Sequence, residues 1–142
     1  MTPHYSSDDA VERIGRGLFD ATLPRAEWTH AAHFAAALWL LRHRPDLVAA
    51  MPSLIRRYNE VAGDGNSETS GYHETITQAS LRAARHVLAA HDALPLHEVL
   101  DRLMASPLGR SGWLLDHWSR ERLFSVEARR TWLEPDLQPL PF

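Results

Sequence analysis

"WTHAAHFAAALWLL", residues 28–41, decides the fold. Wound at about 100° per residue, it is apolar almost all round, and a helix without a solvent face has to be wrapped by others. It predicts a central helix in an all-α protein. Pro24 or Thr29 opens it, it runs to about residue 44, and Pro45 stops it.

The flanking sequence keeps the same period. "SSDD" offers N-caps for a helix near 8–21, with Val11, Ile14, Leu18 and Phe19 as its stripe. Asp46 can cap a third helix carrying Leu47, Met51, Leu54, Ile55, Tyr58 and Val61, which Pro52 kinks or restarts. "GDGNSETSG", residues 63–71, is a loop, and a helix near 71–91 follows it. Pro95 and Pro107 bound a fifth helix. "LGRSGWLLDHWSRERLF" reads as a loop and a short helix, Ser125 caps a last helix through Leu133, and the tail "LQPLPF" cannot be regular. No stretch alternates with period two, and no repeat or linker divides the chain. The expectation is a single helical domain over 1–142, a bundle of about five to seven helices.

Composition narrows the chemistry. The 142 residues are 44% hydrophobic and 23% charged, with a net charge of −3. Cysteine is absent, which removes disulfides, thiolate ligands and cysteine nucleophiles. Lysine is absent too, which removes a Schiff-base or phosphate-loop lysine. The 15 arginines are scattered among acids, so no basic block points to nucleic acid. No apolar run approaches a membrane span, and the polar start "MTPHYSSDDA" does not read as a signal peptide. These features predict a cytoplasmic protein with no nucleic-acid or membrane partner.

Two motifs carry polar groups into apolar surroundings. His30 and His33 stand one turn apart on the central helix, beside small alanines, and can converge on one point. In "GYHETIT", residues 71–77, His73, Thr77 and Ser80 fall inside the apolar stripe of the fourth helix, with Glu74 at its border. Thr75, Gln78, Arg82 and Arg85 fall on the opposite, solvent face. Ser70 or Thr69 would cap this helix, leaving the motif in its first turn.

The expectation is that His30 and His73 share one pocket. His30, His33 and His73 would bind one divalent transition ion, zinc or iron first, since imidazole suits such metals and three ligands with an open position is the catalytic pattern. Glu74 would handle a proton, with His73 and Thr77 completing the catalytic set. Thr77 and Ser80 would fix the His73 ring. Tyr72, Tyr58 and Asn59 could line the pocket, and Arg120 could hold a substrate carboxylate in a bidentate fork. The five tryptophans read as core and surface cover.

At "LPRAEWTHAAH", "RRYNE", "GYHETIT" and "SRERLFS-EARRTWLEPDLQPLP" the chain resembles a family of small bacterial proteins marked by WTHxxH and GYHETIT. The resemblance spans most of the chain. It supports the choice of motifs and implies neither reaction nor cofactor. The residues themselves suggest a small helical enzyme whose buried, His-rich site performs metal-assisted chemistry on a small molecule. Two readings stand beside it. One is a non-catalytic small-molecule or metal-binding module. The other is a cofactor-free lyase or isomerase using His73 and Glu74.

Overall fold

A computed structural model describes residues 4–142, so the single-domain expectation is met by one core built from those residues. Seven α-helices and no strand occur among them: α1 (Asp8–Asp20), α2 (His30–His43), α3 (Met51–Ala62), α4 (Glu74–Ala90), α5 (Leu96–Ala105), α6 (Arg120–Leu123) and α7 (Val126–Arg130). No helix is long and apolar enough to cross a membrane.

Helix α2 is the hub. Ala32 and all seven residues from 34 to 40 are buried, and the helix packs against α1, α4 and α5. The alanines let neighbouring backbones come close. On α1, Gly15 faces the Trp39 ring so tightly that a methyl group there would overlap it.

Most boundaries follow side-chain chemistry. The Ser7 hydroxyl accepts from the Ala10 N–H, Thr29 from Ala32, and Ser125 from Ala128. Pro24 and Thr29 both act as starts: Pro24 precedes a 3-10 turn, Arg25–Glu27, and Thr29 caps α2. Pro52 sits in the first turn of α3, where its missing N–H costs nothing, so it restarts the chain without a kink. The last helix stops at Arg130 rather than Leu133. Phe19 and Val61 are solvent-exposed and lie outside the stripes assigned to them.

The C-terminal third wraps α4 and overturns one face assignment. Thr75 is fully buried. Its hydroxyl lies 2.7 Å from the Ala128 carbonyl and 2.8 Å from that of Thr131, and it accepts from the Leu133 N–H at 3.2 Å. The face read as solvent-facing is covered here because the segment after α7 returns across it. Trp118, also fully buried, donates to the Leu133 carbonyl at 2.9 Å and meets Trp132 edge-on.

Candidate functional site

His73 is itself the N-cap of α4, in place of Ser70 or Thr69. Its Nδ1 accepts from the Ile76 N–H at 3.2 Å, and Nε2–H donates to the Leu123 carbonyl at 2.7 Å. Both ring nitrogens are therefore spent, and the tautomer follows from the partners. Burial, followed by the charge of Arg129, pushes its pKa below the ordinary 6.5. His73 is a neutral structural ring that ties the start of α4 to the end of α6.

The sign of the pH dependence follows. As pH falls, the unfolded chain takes up the His73 proton before the folded one, so stability rises with pH across that window. The stability is complete above about pH 7 and declines through pH 6.5 toward the lowered folded-state value. Urea midpoints should be lower at pH 5.5 than at pH 7.5, and His73→Asn should flatten the difference. A midpoint that rises on acidification contradicts a buried neutral ring.

His33 is differently placed. Its Nδ1–H donates to the Thr29 carbonyl, one turn back, at 2.7 Å, which leaves the Nε2 lone pair open. The ring stacks on Trp28, with centroids 3.9 Å apart at 33°. Solvent reaches the side chain, yet protein surrounds it closely enough that desolvation lowers its pKa; like-charge repulsion from His30 and Arg25 adds to this. A neutral imidazole with an open nitrogen is the form that can accept a proton.

His33 and His73 line one hollow of about 330 Å³, together with Arg25, Trp28, Asn59, Tyr72 and Thr77. No carboxylate lines it. None of the ion pairs among the described residues involves Arg25. Gly63 makes room for this arginine, since a methyl there would collide with the guanidinium. Asn59 donates its amide to Asn66 at 3.0 Å, and Asn66 also receives the Tyr72 N–H at 2.9 Å, so the 63–71 loop is moored to the wall.

Other expected site residues have different employment. His30 lines the adjoining hollow, which shares His33 and Ile76 with the one that His73 lines, and its Nε2–H donates to the Leu108 carbonyl at 2.8 Å. Tyr58 is fully buried and donates to the Leu23 carbonyl at 2.8 Å, so it backs Trp28 and cannot touch a ligand. Glu74 does not line the hollow. It receives the Tyr72 hydroxyl and the Gln78 amide, and with burial this holds the Tyr72 pKa well above 10. Arg120 is exposed at the start of α6, away from the hollow.

The residues do not fit the expected metal. His73 has no lone pair to offer, His30 and His33 alone make two ligands, and no group of three or more His, Asp or Glu suited to an ion occurs among the described residues. Arg25 and Trp28 are the additions that sequence reasoning missed. They stand three apart across a 3-10 turn, whose three-residue repeat brings such positions into line, and that spacing was the available signal.

No family model, curated protein or solved structure matches the chain.

Proposed function

We propose that the hollow binds a small organic anion and that His33 exchanges a proton with it, without a cofactor. The observation that carries this reading is the open Nε2 of His33 in a cleft that holds an unpaired arginine and no carboxylate. Arg25 would take the anionic group in a charge-assisted fork. Asn59 and Thr77 supply further polar contacts, and Trp28 supplies a flat apolar wall. His33 Nε2 accepts the proton, and Thr29 holds the resulting imidazolium through Nδ1–H as a backbone carbonyl can. This places the chemistry in the lyase or isomerase class, with His33 as the base in place of the His73–Glu74 pair. Plain binding of the same anion, without turnover, uses the same contacts and differs only at the proton.

Titration calorimetry with propionate, benzoate and inorganic phosphate tests the reading. At least one should bind wild type. Arg25→Gln should weaken that binding about 10- to 100-fold, the equivalent of a hydrogen bond to a charged group. Heats absent for all three anions, or equal affinity in Arg25→Gln, would remove Arg25 as the anion anchor.

A further inference from the structure

The anion hollow has a neighbour. His33 and Ile76 line both it and a second hollow of about 310 Å³. The two differ in chemistry. The first carries Arg25, Asn59 and Thr77. The second is walled by Phe34, Ile76, Trp113 and Leu114, with Ser111 at its exposed rim. The open nitrogen of His33 thus belongs to a ring set where a polar and an apolar compartment meet.

Besides these walls the second hollow carries His30, whose Nε2–H is spent on the Leu108 carbonyl, and Ser80, so its lining is mostly apolar.

We infer that the ligand is an amphipathic carboxylic acid that spans both hollows: its carboxylate on Arg25, its body across His33, and its apolar end against Phe34, Trp113 and Leu114. The inference rests on the anion reading above and adds the substrate class. It also explains why the base stands at the junction: the atom it deprotonates lies between the carboxylate and the apolar end. The proton passes from that atom to His33 Nε2, its bonding electrons stay on the substrate, and the Nδ1–H bond to Thr29 is unchanged.

The experiment compares propionate, hexanoate and octanoate by calorimetry. Affinity should rise about threefold to fourfold per added methylene until the second hollow is filled, as burial of each CH₂ requires. In Ser111→Trp, which closes the rim from an exposed position, hexanoate and octanoate should bind no better than propionate. Affinity independent of chain length overturns the spanning ligand while leaving Arg25 as an anion site. Silence from every acid overturns both readings together.

Discussion

Thr75→Val should destabilise the protein by about 2–4 kcal/mol, although the side chains are nearly the same size. The substitution removes the donor shared by the Ala128 and Thr131 carbonyls and the acceptor of the Leu133 N–H. Orphaning a buried backbone group costs about 1–3 kcal/mol, and part of the cost is relieved where water reaches the segment near Leu133. Against a total stability of about 5–15 kcal/mol, the loss is a large fraction. For a domain of this size it should lower Tm by roughly 10 °C. Thr75→Ser, which keeps the hydroxyl, should recover most of it. Denaturation followed by tryptophan fluorescence reports on the same region, because Trp118 donates to the Leu133 carbonyl. A valine variant within about 0.5 kcal/mol of wild type would show that the returning C-terminal segment does not depend on this hydroxyl.

The second large effect separates the histidines by reactivity. Diethyl pyrocarbonate acylates neutral imidazole at an open nitrogen. His33 is solvent-exposed with no partner on Nε2, whereas His73 has both nitrogens engaged and is 6% exposed. Freeing the His73 ring means breaking an N-cap and a buried hydrogen bond, about 2–3 kcal/mol of local opening. At about 1.4 kcal/mol per tenfold, His33 should be modified roughly 100 times faster than His73 at pH 7. Peptide mass mapping over a time course gives the ratio. A bound anion should slow His33 and leave His73 unchanged. Comparable rates for the two would mean that the hydrogen bonds described for His73 do not hold in solution.

The His73 ring bears on how such motifs are read. Histidine at a helix start, next to a glutamate and facing inward, has the outward form of catalytic machinery. Here the same placement serves as a cap and a strut. Glu74, one residue on, takes up the Tyr72 hydroxyl and the Gln78 amide. The polar groups of "GYHETIT" mostly satisfy one another and the C-terminal segment, and only Tyr72, His73 and Thr77 also line the hollow.

Much of the architecture was legible along the chain. An all-apolar run made α2 central, proline and glycine punctuated the segments, and Ser7, Thr29 and Ser125 marked helix starts. These are local properties, because a helix reports its own period and its own caps within about four residues. The wall of the hollow was half legible for the same reason: His33, Asn59, Tyr72, His73 and Thr77 could be placed by helix face.

What lies opposite each face is a matter of chain segments far apart in sequence, and only the tertiary structure decided it. The Leu123 carbonyl occupies His73 from 50 residues away, the Leu108 carbonyl occupies His30 from 78, and Thr75 is buried by residues 53 to 58 positions downstream. A helical wheel gives a direction, not the group met along it. The same three imidazoles therefore read alike in sequence, while backbone carbonyls, supplied by the fold to two rings and by the preceding turn to the third, leave His33 as the ring with an open nitrogen among those lining the hollow beside Arg25.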